Sequence, residues 1–143
     1  MPHKSNDEVD ELLKKWEEAY KKGLLSFWLL LLLYEKPAYA YELGTAVSEV
    51  SQRTVTADEK SIYRALNRFQ SMGLVKSELV KSPIGPQRRY YRLTEKGTDL
   101  LREFTRRNIL IFQNPSIQER VQSILQNDAA VFQLEMSHAI PQT

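Results

Sequence analysis

The chain has 143 residues, 42% hydrophobic and 10% aromatic, with 20 Lys and Arg against 18 Asp and Glu. That is enough apolar side chain for one compact domain with helical arms, and no second domain is needed. The absence of cysteine excludes disulfides, thiolate metal sites and thiol nucleophiles, and the longest apolar run, residues 24–34, falls far short of the ~20 residues that span a bilayer.

In chain order, residues 6–22 form an amphipathic helical segment. Val9, Leu12, Leu13, Trp16, Ala19 and Tyr20 share one face, and Glu8, Glu11, Lys14, Lys15, Glu18 and Lys22 lie mostly away from it. Such a stripe needs an apolar partner, either its own domain or a second chain. Balanced acids and lysines argue against a membrane-surface helix. Residues 24–34 read as a core helix. They resemble the apolar stretch of a signal peptide before Ala38-Tyr39-Ala40, but the acidic segment before them and Glu35-Lys36 after them argue against export. The expected location is therefore cytoplasmic and nucleoid-associated.

Residues 58–72 carry Ile62, Ala65, Leu66, Phe69 and Met72 at helical spacing, which gathers them into one buried stripe. The opposite face holds Lys60, Arg64, Asn67 and Ser71, flanked by Ser61, Tyr63 and Arg68, a mixture able to bond phosphates and base edges in a major groove. Asp58 is the expected N-cap, and Gly73 the left-handed residue that ends the helix. Two strand-like runs follow, residues 74–81 and 88–93, separated by Ser82-Pro83-Ile84-Gly85-Pro86-Gln87, which suits a loop and not a ladder. Alternation in the second strand puts Arg89, Tyr91 and Leu93 on one face and Arg88, Tyr90 and Arg92 on the other. Thr94 then reads as the N-cap of a new helix, with Glu95 favourable in its positive first turn. Further on, Asn114-Pro115 breaks the chain and Ser116-Ile117-Gln118-Glu119 reads as a capping box. The helix it opens should run past Leu125, with Ile117, Val121, Ile124, Leu125, Phe132 and Met136 on one stripe.

Charge along the chain is more informative than its total. Between Gln52 and Lys96 there are ten cations and four anions, a net +6; the rest of the chain carries ten cations and fourteen anions, a net −4, so the overall +2 conceals a basic segment in an acidic frame. Such asymmetry points to a polyanion partner, double-stranded DNA, with affinity that falls steeply with salt. Ingredients for catalysis are missing: His3 and His138 lie near the two ends without a metal-spaced acid, and no glycine-rich phosphate loop occurs. No cofactor or metal is expected.

Four blocks in order resemble the PadR-like transcriptional regulators, winged-helix proteins of bacteria and archaea. The apolar run 24–33 followed by Glu35-Lys36-Pro37-Ala38-Tyr39-Ala40-Tyr41-Glu42-Leu43 is similar to the family's first helix and its turn into a second. Ser61-Ile62-Tyr63-Arg64-Ala65-Leu66-Asn67-Arg68-Phe69 is similar to its recognition helix, Gly73-Leu74-Val75 to the lead into its wing, and Arg88-Arg89-Tyr90-Tyr91-Arg92-Leu93-Thr94-Glu95-Lys96-Gly97 to its second wing strand. The sequence departs from the family at Tyr39-Ala40, where histidine and glycine are common. It departs again at Asp58-Glu59-Lys60, which sets two acids at a phosphate-lined groove.

The resemblance implies a mainly α fold with a small β-hairpin, a winged helix-turn-helix with extra N- and C-terminal helices. The expected divisions are 1–22, an amphipathic extension; 23–94, the winged-helix DNA-binding domain; 95–113, a dimerisation helix; and 114–143, a C-terminal helix and tail. It further implies a homodimeric repressor of a pseudo-palindromic operator. DNA contacts would come from Lys60, Ser61, Tyr63, Arg64, Asn67 and Arg68 of the recognition helix and from Lys81, Gln87, Arg88 and Arg89 of the wing. Residues 95–112 would pair across a two-fold axis, with Leu100, Leu101, Phe104, Ile111 and Phe112 joining Trp16 and Trp28 in a dimer core or in a pocket for a small hydrophobic effector. The other reading is a winged-helix interaction or ligand-sensing module without specific DNA binding, for which Asp58-Glu59 speaks.

Overall fold

A computed structural model of the protein describes residues 4–126. Two compact units divide the chain, residues 1–101 and 102–143. The first unit opens with helix α1, Lys4–Glu35, which runs through Gly23 without a break. A Cβ at Gly23 would meet nothing within 4 Å, so the glycine is neither a hinge nor a close contact. The helix stops two residues before Pro37, consistent with the restriction proline places on the residue before it.

Strand β1, Ala38–Tyr39, leads directly into α2, Ala40–Val50, where the Glu42 carboxylate accepts a 3.2 Å hydrogen bond from the Tyr39 N–H. Helix α3, Glu59–Ser71, follows, and β2, Val75–Val80, and β3, Arg88–Leu93, form the wing. The sheet is antiparallel in the order β1-β3-β2, with Ala38 opposite Tyr91 and Ser77 opposite Tyr91 on the other side. The sequence had shown only the hairpin; two residues of β1 are too few to carry an alternation signal. Helix α4, Glu95–Phe104, begins after Thr94.

The core is one apolar cluster built from four helices, α4 adding Leu101, and the sheet. Leu29, Leu30 and Leu33 of α1 meet Leu43 and Val47 of α2, the α3 stripe of Ile62, Ala65, Leu66 and Phe69, and Leu74, Val75 and Tyr91 of the wing. Met72 departs from the expected stripe: it is 44% exposed because α3 has ended there and Met72 serves as its C-cap.

In the second unit, the backbone leaves α geometry after Phe104. Thr105–Ile109 is a π-helical turn and Leu110–Gln113 a 3₁₀ turn. The expected single helix over 95–112 is thus regular only to Phe104. Helix α5, Pro115–Ile124, is capped by Asn114, whose side chain accepts from Ser116 N at 2.9 Å and Ile117 N at 3.4 Å. This corrects the expected Ser116 cap: Pro115 has no N–H and a fixed φ suited to the first helical position, so the helix starts there. It closes at Leu125, its C-cap, and Phe132, Met136 and His138, like His3, lie outside the described residues.

Candidate nucleic-acid interface

Helix α2, the turn of residues 51–58 and α3 form the helix-turn-helix. Buried Ser51 holds the turn: its hydroxyl donates to Val55 O at 3.2 Å and accepts from Val55 N at 3.0 Å. Gln52 and Arg53 both take positive φ, 54° and 66°, a conformation costly for side chains with a Cβ. Arg53 N–H returns to Ser48 O at 2.7 Å, closing α2 with a six-residue wrap.

Asp58 caps α3 as its sequence position implies. Its carboxylate accepts from Ser61 N at 2.8 Å. Hydrogen bonds from Ser61, aided by the fields of Arg64 and Lys60, hold the Asp58 carboxyl below the usual carboxylate range. The acid is therefore engaged with its own helix terminus, and its negative charge sits among cations.

The apolar stripe of α3 anchors the helix and fixes which face looks outward. Lys60, Tyr63, Arg64 and Asn67 are exposed, with Tyr63 at 44%, and among the described residues they make no side-chain hydrogen bond or salt bridge. Ser61 is half-buried, its N–H committed to the Asp58 cap. Arg68 is exposed but turned toward α1, reaching Ser26 Oγ at 3.5 Å, with its guanidinium 5.7 Å from the Phe69 ring centroid.

The two wing arginines lie on opposite faces of β3, as alternation requires, and each is oriented by a different element. Arg89 donates to Ser77 Oγ at 3.0 Å, and Ser77 donates to Gln70 Oε1 at 2.9 Å, so its charge is tied back to α3. Arg88 donates to Tyr39 Oη at 2.9 Å and stacks 4.5 Å from the Tyr39 ring centroid. Tyr39 in turn meets Tyr90 edge-on at 5.4 Å. Arg92 is paired with Glu78 at 3.2 Å, so its charge is largely neutralised on the wing. Tyr91 packs into the core below; burial pushes its phenol up, against the opposing field of Arg89. Lys81 and Gln87 flank an exposed loop in which Ile84 is 90% exposed.

Helix α3 and the wing are joined by a junction that composition did not reveal. Leu74 O accepts from Thr94 N at 2.9 Å and from Thr94 Oγ1 at 3.0 Å, and Thr94 Oγ1 also accepts the α4 cap bond from Gly97 N at 3.1 Å. Lys96 Nζ donates to Met72 O at 2.9 Å, closing the C-terminus of α3. Gly97 makes the approach possible: a Cβ there would lie 2.2 Å from Leu74 O and 2.7 Å from Leu93 Cδ1. The sequence offered Gly97 only as the end of a resembling block. Tyr39 gave no signal as a partner of Arg88, which lies 49 positions away.

The residues expected at a dimer or effector site fall in both units. In the first unit Trp16 is 74% and Leu100 48% exposed, whereas Leu101, at 6%, belongs to its own core. Trp28 is half-buried against Phe27, edge-on at 5.4 Å, and its Nε1 is buried without a hydrogen-bond partner. In the second unit Phe104, Ile111 and Phe112 are exposed at 38%, 49% and 58%. Among the described residues, no cluster of acids and histidines could hold a metal, and no helix is long and apolar enough to cross a membrane.

A helix-turn-helix followed by a two-stranded wing, with α3 offering polar and cationic side chains outward, defines the winged-helix class. The sequence model of the transcriptional regulator PadR-like family matches residues 29–103. A PadR-like transcription factor from Bacteroides fragilis is 31% identical, over 77% of this chain and 98% of that one, with a TM-score of 0.54. A PadR-like transcriptional regulator from Bacillus cereus is also 31% identical, over 73% of this chain and 94% of that one, with a TM-score of 0.57. PadR of Bacillus subtilis, solved in complex with operator DNA, is 20% identical over 59% of this chain and 48% of that one; its TM-score of 0.55 speaks for the fold alone. The chain belongs to the PadR-like family of transcriptional regulators. It is a DNA-binding regulator and not an enzyme.

Proposed function

We propose that the chain acts in the cytoplasm as a homodimeric repressor of a pseudo-palindromic operator. The observation that carries this is the outward face of α3, where Lys60, Tyr63, Arg64 and Asn67 are exposed above a buried apolar stripe, beside a wing whose Arg88 and Arg89 are held in place. Arg64 and Asn67 read base edges. Lys60, Ser61, Arg68, Lys81, Gln87, Arg88 and Arg89 position the domain on phosphates. Contacts of the second kind supply affinity without sequence preference, and the first kind supplies specificity. The solved operator complex of Bacillus subtilis PadR, which shares the fold, supports DNA as the ligand.

Exposed Leu100 in the first unit and Phe104, Ile111 and Phe112 in the second support pairing through residues 95–113, since four large apolar side chains fall within thirteen consecutive residues. A small hydrophobic or aromatic effector relieves repression by favouring one of two dimer states. Fluorescence anisotropy with the DNA upstream of the protein's own coding sequence and with scrambled duplex, each at low and near-physiological salt, tests the reading. Preference for upstream DNA that survives salt is expected. Equal loss on both duplexes would refute specific recognition and favour an interaction module. Tryptophan quenching by planar aromatics, followed by release of bound DNA, tests the effector.

A further inference from the structure

The first half of α1 carries an unpartnered apolar face. Val9, Leu12, Leu13, Trp16 and Tyr20 are exposed at 58%, 66%, 47%, 74% and 56%. At roughly 100° per residue they and Ala19 fall on one stripe about 120° wide. The side of the helix turned toward its own domain is polar: Lys14, Glu18, Lys21 and Lys22 line a groove of about 660 Å³ that faces Thr54 and Thr56. The stripe therefore points away from the winged domain, and packing on that domain, one of the two partners the sequence left open, does not occur among the described residues.

The stripe keeps a heptad rhythm. With Val9 and Trp16 at a, and Leu12 and Ala19 at d, the e positions are Leu13 and Tyr20 and the g positions are Glu8, Lys15 and Lys22. We propose that this half-helix pairs with the same half-helix of a second copy, antiparallel, about a two-fold axis near Lys14. In that register Leu12 faces the second copy's Trp16, and Val9 its Ala19, so a large side chain meets a medium one and a medium one meets a small one. Leu13 meets its own copy beside the seam. Glu8 meets Lys22 of the second copy twice over, once on each side of the axis. Lys15 meets its own copy, the one unfavourable contact.

The competing arrangements lose the ion pairs. Parallel pairing sets Glu8 opposite Leu13 and Lys15 opposite Tyr20. Moving the frame so that Leu13 and Tyr20 take the a positions puts Asp10 and Glu17 at e, where antiparallel pairing opposes two acids. Helix nucleation does not oppose the pairing, because α1 is already anchored by Leu29, Leu30 and Leu33 in the core. The winged domain flanks Lys14 to Lys22 on the side of α1 opposite the stripe, so the seam itself stays open to a second copy. The pairing is independent of residues 95–113 and of DNA binding.

The chain lacks cysteine, so single substitutions report cleanly. Leu12→Cys and Trp16→Cys chains of different tag length are mixed and oxidised in a glutathione buffer. The heterodisulfide should exceed its random-collision share. Dominant homodisulfides would mean parallel pairing, and random shares would leave the stripe to a foreign helix or to residues 127–143; either overturns the proposal. A second arm leaves the stripe intact and measures self-association by sedimentation equilibrium. Lys22→Glu should weaken it several-fold, and adding Glu8→Lys should restore it. Glu8 and Lys22 are about 21 Å apart along one helix, so restoration can arise only between chains. A double variant as weak as Lys22→Glu alone would overturn the register.

Discussion

Helix α3 and the first half of α1 both face outward, and their exposed surfaces are opposite in chemistry. Below the exposed face of α3 lies an apolar stripe at 0–3% exposure, so the polar residues above it stand on a rigid base. In α1 the arrangement is inverted: its polar residues line a groove beside its own domain while large apolar side chains meet water. A polar cationic face on a fixed scaffold suits a hydrated polyanion, whereas an apolar stripe at heptad spacing suits another helix. The same degree of exposure thus signals different partners, and only the identity of the exposed atoms tells them apart.

The comparison is broken most severely where α3 meets the wing. Gly97→Ala should destabilise the fold by about 3 kcal/mol or more, since the new methyl collides with the backbone at Leu74 O, which cannot move aside as a flexible side chain would. Urea titration of variant and parent measures this, and an unchanged midpoint would mean that α4 does not close on the wing as described.

Next in size is a contrast between two leucines. Leu66→Ala, at 0% exposure, should cost about 2–5 kcal/mol. Leu12→Ala, at 66%, should stay within about 0.5 kcal/mol in dilute protein. Its effect should appear in self-association instead. Equal losses in the same titration would place Leu12 in a core.

Electrostatic changes sharpen the polar side of the comparison. Asp58→Ser keeps an N-cap oxygen for the Ser61 N–H while removing an anion beside the recognition face, so DNA should bind more tightly at nearly unchanged stability. The Asp58 carboxyl has a depressed folded pKa, so its contribution to stability is present above the ordinary carboxylate range and is lost as pH falls through the lowered value. Below that value the parent should lose stability relative to Asp58→Ser, and thermal unfolding at stepped acid pH checks the direction. The smallest effect belongs to the helix-turn-helix turn. Gln52→Gly should stabilise by about 0.5 kcal/mol, relief of a left-handed conformation being partly offset by the unfolded freedom of glycine. A loss of stability there would mean that the Gln52 side chain contributes more than its backbone costs.

Much of the polar region was legible because its signals are local. The α3 stripe from Ile62 to Phe69, the Asp58 and Thr94 caps, the proline-rich loop and the alternation of β3 each span a few residues, and each reappears in the structure, Met72 alone leaving the stripe. What escaped depends on distance or brevity. Strand β1 has two residues, the Tyr39 to Arg88 bond spans 49 positions, and Gly97 owes its role to Leu74 and Leu93 folding against it. Asn114 and Ser116 are both good caps, and the choice fell to Pro115 between them. The turns at Thr105–Ile109 and Leu110–Gln113 interrupt an apolar pattern that reads as plain helix, because periodicity reports which residues are apolar and not how the carbonyls are satisfied. The α1 stripe was visible from the sequence as a face in need of a partner. That it points away from its own domain required the structure.

The central claim is that α3 reads sequence while the wing supplies unspecific affinity. The most direct test measures anisotropy binding of the parent, Arg64→Ala/Asn67→Ala and Arg88→Ala/Arg89→Ala to operator and scrambled duplex across a salt series. The wing variant should lose affinity for both duplexes alike and flatten the logarithmic salt slope by roughly two units, about 0.9 per phosphate contact. The helix variant should lose its preference for operator while binding scrambled DNA nearly as the parent does. Operator preference intact in the α3 variant, or an unchanged salt slope in the wing variant, would contradict the account.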